Sequence, residues 1–580
     1  MDYGFNIGRN KDILYNIRDI SDFRDLISQS GRLYKDRDAF LVKDTPGGKY
    51  RAIKYQRFTE DVQALGTSLM NLGVTGKKIA IIGENRYEWV IGYLAVVSAG
   101  GIIVPLDKEL PVAEIKNLLV QTDIFAIIYS GKVEIFVEEA ASGIETIKYA
   151  ISMDSERNSG NKLSMKDLLA KGRSFVSEGK KEYKEYNEFQ SNPDILSIIL
   201  YTSGTTGLAK GVMLTQKNIC SNVIGVSRYI NLGENDTTLS ILPIHHTYEF
   251  TGDILTSIYQ GACVAFCEGL KHIVKNMAES RTTVLVGVPL IFESMHKKVW
   301  KKAESAGNAN KLRNAVAISK ALNKLNIKAA RRMFKSIHSA LGGNVRMFIV
   351  GAAAIDPNVV EDFNAMGIKM FQGYGLTECS PLVAVNKDTC YKAAAVGFPI
   401  PGTEVKIIDL DENNVGEIIC KSDSVMLGYY ENPEETAKVL KDGWLYTGDY
   451  GFFDKDGFLY ISGRKKNVIV TKNGKNIFPE EVELYLNKSQ FIQEVIVYGT
   501  NESEGDTLVC AEVLPDFQQI SESMGNISEE AIRNLIKGEI DLANDKMSAY
   551  KRVKRFEIRK DEFEKTTTKK IKRNNTGKHN

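Results

Sequence analysis

Apolar positions fall in short runs separated by longer amphipathic stretches along most of this chain. "KKIAIIG" (77–83), "IFAIIYS" (124–130), "LSIILYT" (196–202), "TTVLVGV" (282–288) and "NVRMFIV" (344–350) are too short for helices and too apolar for surface strands. Helical patterns of ten or more residues separate most of them. Strands alternating with helices predict an α/β architecture with largely parallel sheets. One longer stretch, "WVIGYLAVVSAGGIIVPL" (89–106), is uncharged and long enough to raise a membrane span. Gly100, Gly101 and Pro105 divide it, and the spacing predicts a buried helix, a glycine turn and a short strand at 102–104.

The texture changes near residue 405. "TEVKIIDLDENNVGEIIC" and "GWLYTGDYGFFDKDGFLYISGR" read as short strands punctuated by Asp-Gly and Asn-containing turns. Beyond Arg464 helix and strand patterns mix. Ser528 is placed to cap a helix with Glu529 and Glu530 in its first turn and Ile532, Leu535, Ile536 and Ile540 on one face. A strand near 553–558 and a basic tail follow. The predicted architecture is a large multi-subdomain N-terminal domain over 1–463, made of parallel-sheet α/β layers plus a β-rich unit at about 405–463, and a small α+β C-terminal domain over 464–580.

Composition narrows the function classes. The 580 residues are 43% hydrophobic with a formal net charge of +2, a balance that does not point to nucleic acid. Seven cysteines without a CxxC pair argue against a zinc site or disulfide framework and fit a reducing cytosol. The first residues are charged throughout and lack an apolar signal core, so a cytoplasmic protein is expected. Residues 297–335 stand apart, with twelve lysines and arginines against one acid, Glu304, and Leu312, Val316, Leu322, Leu325 and Ile327 interleaved. Such a basic amphipathic hairpin suits peripheral contact with an anionic membrane at its inner face; the alternative is a solvated surface excursion.

The densest chemistry lies in "YTSGTTGLAKGVMLT" (201–215). It follows the 196–201 strand and is expected to lead into a helix. Gly204, Gly207 and Gly211 permit tight turns, and the hydroxyls of Thr202, Ser203, Thr205 and Thr206 with the backbone N–H groups can donate to phosphate oxygens. Lys210 adds a positive charge. The residue after Lys210 is Gly211, so this is neither a Walker A loop nor a G-x-G-x-x-G turn.

This loop resembles the signature of the adenylate-forming superfamily, which comprises acyl-CoA synthetases, luciferases and peptide-synthetase adenylation domains. Four further elements resemble that family in its order: "GYGLTECSP" (373–381), "YTGD" (446–449), "GRKKN" (463–467) and "TTTKKIKR" (566–573). The resemblance covers essentially the whole chain. It implies that a carboxylate attacks the α-phosphate of ATP, giving acyl-adenylate and pyrophosphate, and that a thiol then displaces AMP. Attack of one anion on another needs positioning and charge neutralisation more than acid–base work.

The same resemblance assigns residues. Glu378 becomes the Mg²⁺-binding glutamate, beside Thr377; Gly373, Tyr374 and Gly375 border adenine. Asp449 and Arg464 contact the ribose. Lys570 becomes the catalytic lysine, with Lys569 a competing candidate because Glu564 and Lys569 depart from the family's proline and glycine. Lys466 becomes the hinge about which a mobile C-terminal domain alternates, and Gly474 borders the thiol tunnel. "LPIHHTYEF" (242–250) with His246 and Tyr248, and "GAAAIDP" (351–357) with Gly351, Ala352 and Ala353, resemble the acyl-pocket elements. The adjacent His245 and His246 are expected to point apart, and no third ligand is near, so a metal there is not expected.

Length, the basic insertion and "GRKKNVIV" look most like bacterial long-chain fatty acyl-CoA synthetases. No G-G-x-S-[IL] carrier segment is present, so the thiol is expected in trans, from CoA or alternatively from acyl carrier protein. A nucleotide-dependent binding protein without turnover is the rival of another class.

Overall fold

The computed structural model describes residues 13–202, 209–325, 327, 329–471, 475–501, 507–565 and 571–573. The chain divides into two compact units, Met1–Val405 with Cys420–Leu445, and Lys406–Ile419 with Tyr446–Asn580.

Two large sheets organise the first unit. The eight-stranded sheet has the order Gly428–Tyr429, Lys210–Thr215, Leu196–Thr202, Ile102–Leu106, Lys78–Ile82, Ala126–Tyr129, Tyr149–Ser152, Lys162–Ser164. From Leu196–Thr202 onward all neighbours are parallel. Ile79, Ala80, Ile81 and Ile82 are all buried, which is why the run is continuously apolar rather than alternating. The uncharged 89–106 stretch resolves as read from its glycines. A helix spans Tyr87–Ser98, Gly100 turns at φ +75°, and the strand Ile102–Leu106 enters the sheet. Among the described residues no helix is long and apolar enough to cross a membrane.

The nine-stranded sheet runs Phe398–Pro399, Leu382–Val385, Lys369–Gly375, Met347–Val350, Val284–Gly287, Thr237–Ser240, Cys263–Phe266, Asp38–Val42, Arg51–Lys54. Its centre is parallel, with antiparallel strands at both edges. The basic region forms the helices Pro289–Ser305, Ala309–Lys324 and Ala330–Met333. Its apolar face is split. Val316 and Phe334 are buried with Trp300 and Leu312 against the core beneath this sheet, while Ile318 and Leu325 are 55% and 71% exposed.

In the second unit, strands Ile492–Asn501, Thr507–Pro515 and Arg555–Ile558 form one sheet. The helices Pro479–Leu486 and Glu529–Asn544 contribute Val482, Leu486, Ile536 and Ile540 to its core. Ser528 caps the longer helix by accepting from Ala531 N–H, as its sequence position predicts. Trp444–Phe453 and Leu459–Arg464 pair antiparallel in the β-rich segment.

Candidate active site

The described ends of the candidate phosphate loop lie on two paired strands. Leu196–Thr202 runs antiparallel to Lys210–Thr215, with Thr202 opposite Lys210. The helix expected after the 201–215 stretch follows it directly, and the stretch itself ends in a six-residue strand. The helix Gln216–Ser227 starts at a capping box between Thr215 and Asn218. The reason for the strand lies in "KGVMLT", whose buried Val212 and Leu214 complete ladders on both sides, with Leu196–Thr202 and with Gly428–Tyr429. Ser203, Gly204, Thr205, Thr206 and Gly207 lie outside the described residues, as do Gly474, Lys569 and Lys570.

Lys210 and Glu378 share one network. Lys210 Nζ sits 2.5 Å from Glu435 Oε2 and 5.3 Å from the centroid of the Tyr429 ring. Tyr429 Oη donates to Glu378 Oε1 at 2.8 Å. Glu435 also pairs with Lys438, and the two ammonium groups, Lys210 first, hold its carboxyl down to about 2.

Glu378 occupies the 3₁₀ turn Thr377–Cys379 just beyond the strand Lys369–Gly375, which carries Gly373, Tyr374 and Gly375. The turn is tied down by Met426 N–H donating to Glu378 O and by Ser380 Oγ donating to Ser424 O, both at 2.9 Å. Only glycine fits at 375, where a Cβ would lie 2.0 Å from Pro381 O. Glu378 is a half-buried carboxylate steadied by a phenol, which suits Mg²⁺. That ion takes hard oxygens and is typically held by one or two carboxylates plus substrate phosphates. No group of three or more potential metal ligands occurs among the described residues, so no all-protein cage is built there.

Asp449 and Arg464 face each other across neighbouring antiparallel strands. Arg464 Nε is 2.8 Å from Asp449 Oδ1, and Asp449 N–H donates to Thr447 Oγ1. The buried carboxylate and the exposed guanidinium therefore form one polar edge. Lys466 lies two residues on, exposed in the turn Lys465–Asn467. Lys565 and Ile571 bridge to each other across the undescribed 566–570. Beyond the bridge Arg573 pairs with Glu483 at 2.6 Å.

Of the five acyl-element residues, the structure gathers three. Tyr248 Oη donates to Gly287 O and Ile349 O, and the Tyr248 ring lies so close to Gly351 that a Cβ there would be 2.9 Å away. Tyr248 and Ala352 belong to one apolar cluster with Leu242, Val286 and Val288. Ala352 has φ +71°, a conformation a non-glycine residue rarely holds. His246 is half-buried beside this cluster's chain segment, and Ala353 is exposed. The expectation that the two histidines point apart is corrected: their ring centroids are 4.1 Å apart. A turn at Pro243–His246, closed by His246 N–H to Pro243 O, brings the rings together. Burial pushes the His245 imidazole down to about 3, so it is neutral at physiological pH.

Sequence reasoning missed four polar residues. Tyr429 and Glu435 are separated from Lys210 by more than two hundred positions, and only sheet pairing brings them together. Glu249 and Asp253 are wholly buried around the π-helical stretch Phe250–Leu255. Two acids in "YEFTGD" amid apolar neighbours were the available signal.

Comparison with known proteins identifies the family. The AMP-binding enzyme family model matches residues 27–430, and the AMP-binding enzyme C-terminal domain model matches 466–579. Long-chain-fatty-acid–CoA ligase 5 of Rattus norvegicus is 31% identical over 523 residues, covering 85% of this chain and 75% of that protein. A chloroplastic long-chain-fatty-acid–[acyl-carrier-protein] ligase of Arabidopsis thaliana is 25% identical over 587 residues, covering 89% and 79%. In fold, the chain is similar to the anthranilate CoA ligase AuaEII in complex with anthranoyl-AMP, with TM-score 0.73 at 20% identity over 97% and 96% of the two chains.

Proposed function

Because the chain belongs to the AMP-binding enzyme family, we propose that it is a long-chain fatty acid–CoA ligase. A fatty acid carboxylate attacks the α-phosphate of ATP, giving acyl-adenylate and pyrophosphate. The CoA thiol then attacks the acyl carbon and AMP leaves. The observation that carries this reading is the 31% identity to a long-chain-fatty-acid–CoA ligase over 85% of this chain, together with the two AMP-binding enzyme family matches.

The residues take the following parts. Thr202 and Lys210 flank the phosphate loop, and Lys210 offsets phosphate charge. Glu378, steadied by Tyr429, holds Mg²⁺, which neutralises the phosphates when bound. Tyr374, with Gly373, Gly375 and Thr377, borders adenine. Asp449 accepts from the ribose hydroxyls, with Arg464 beside it. Tyr248, Gly351 and Ala352 supply an apolar wall for the acyl group. Lys570 acts in adenylation, and Lys466 is the hinge for the alternation that family membership implies.

Acyl carrier protein is the second acceptor to weigh, because one relative bears that name. AMP release should be measured across carboxylates of graded chain length, with CoA or acyl carrier protein as acceptor. Thioester formed with CoA on long chains supports the ligase. Turnover only with carrier protein replaces the acceptor, and no carboxylate-dependent AMP release rejects the reading.

A cytoplasmic protein with peripheral contact at an anionic membrane is the reading of the 297–335 region. The exposed Ile318 and Leu325 among lysines and arginines favour it. Vesicle sedimentation tests it: binding should need anionic lipid and weaken as salt shortens the screening length below about 8 Å. Equal binding to neutral and anionic vesicles, or none, removes it.

A further inference from the structure

Lys210 already has an anion. Its ammonium lies 2.5 Å from the Glu435 carboxylate, with the two side chains only 18% and 26% exposed. The placement of Glu435 is built into the backbone. Tyr429 pairs with Val212 in register, and Tyr430 N–H donates to Gly211 O at 2.7 Å, which fixes this strand against the hairpin that carries Lys210. Tyr429 N–H donates to Thr436 Oγ1 at 2.9 Å, and Asn432 Oδ1 accepts from Glu435 N–H at 3.1 Å. These two bonds set the first turn of the helix Pro433–Val439 on that strand. The carboxylate is thus aimed at Lys210 by main-chain scaffolding on both sides. Lys438, one turn on, holds the same carboxylate.

We propose that Glu435 is an internal competitor of the substrate's phosphates for Lys210. This rests on the nucleotide-activating reading above. Before ATP arrives, the carboxylate neutralises the lysine. Phosphate oxygens then take Lys210 over, and Glu435 keeps Lys438 as its partner, so the exchange leaves no isolated carboxylate in a partly desolvated position. After adenylate forms, the carboxylate reclaims Lys210 and lowers the hold on pyrophosphate. The device weakens ground-state binding of both ATP and pyrophosphate and speeds release of the product that would otherwise drive the reaction backwards.

The same ion pair has an opposite reading, in which Glu435 holds Lys210 where phosphate needs it. The sign of one measurement separates them. Inorganic pyrophosphate is titrated by calorimetry into the full chain and into Glu435→Gln, Glu435→Asp and Glu434→Gln. Pyrophosphate inhibition and KM for ATP are read in the adenylation assay. Competition predicts that Glu435→Gln binds pyrophosphate about two- to fivefold tighter, the factor an ion pair of this exposure commands. Its KM for ATP falls in parallel. Glu435→Asp stays near the native value, and Glu434→Gln, which removes a neighbouring charge but leaves Glu435 in place, changes binding less than twofold. Unchanged or weaker pyrophosphate binding by Glu435→Gln overturns the proposal, as does equal tightening by Glu434→Gln. If Glu435→Gln binds pyrophosphate more weakly while the native chain still makes acyl-CoA, only the competitor role fails. A native chain that binds neither ATP nor pyrophosphate fails the functional reading and this one together.

Discussion

Tyr429 touches Glu378 through a single hydroxyl, so variants of the two side chains separate the metal binding proposed for Glu378 from its positioning. Glu378→Ala is expected to lower adenylation by about 10²–10³, the scale of losing one aimed charge at the reacting centre. Tyr429→Phe removes one bond to a charged group and should cost about tenfold. Both should melt with the native protein, and near-normal turnover of Glu378→Ala would show that the metal is held elsewhere. Asp253 gives a pH signature. Burial raises its carboxyl from the ordinary range to about 6, so the folded chain binds more protons there than the unfolded chain between about 4 and 6. Stability contributed by Asp253 is therefore present at the acid end and is lost as pH rises through 6. Asp253→Asn keeps an acceptor for Ser257 Oγ and removes that loss. Its melting temperature should match the native protein near pH 4 and exceed it by several degrees at pH 7.5; an advantage independent of pH would assign the gain to packing.

Single elements were readable wherever one pattern dominated. The strand Lys78–Ile82 and the helix Tyr87–Ser98 follow from apolar runs and a glycine turn, and Glu529–Asn544 from its cap and periodicity. The strand Lys210–Thr215 was not readable as such. Its hydrogen-bond partners come partly from Gly428–Tyr429, and a strand's second neighbour leaves no mark in its own sequence. For the same reason Lys210 stood out in the sequence as a candidate and its counterion Glu435 did not. The turn after Lys369–Gly375 is the tightest element at the site. Gly375→Ala would drive a Cβ to 2.0 Å from Pro381 O, where backbone must shift. The expected cost is at least about 1–3 kcal/mol in stability, with adenylation falling further than stability because the shift carries Glu378 with it. Denaturant melts and initial rates on one preparation check both, and a native rate in a destabilised variant would detach Gly375 from the site.

At the scale of the whole molecule, the family's two half-reactions ask different things of different residues. Lys570→Ala should abolish pyrophosphate release from ATP and fatty acid yet convert supplied acyl-adenylate to thioester. Lys466→Pro fixes one backbone dihedral at the proposed hinge and should do the reverse. Equal loss of both half-reactions in both variants would remove alternation about Lys466, and the adenylation defect appearing in Lys569→Ala alone would move the catalytic lysine by one residue. The pairing of Gly428–Tyr429 with Lys210–Thr215 also bears on how the protein is made. While the chain emerges from the ribosome, the hairpin strand exists long before its outer neighbour does. Until residue 430 is out, Val212 and Leu214 sit in an uncovered sheet edge, the kind of surface that recruits other strands. A fragment ending at residue 420 should therefore aggregate in light scattering where one ending at 464, beyond the strand that covers Gly416–Ser422, stays dispersed, and the stretch around residue 430 acts as the seal on its own nascent sheet.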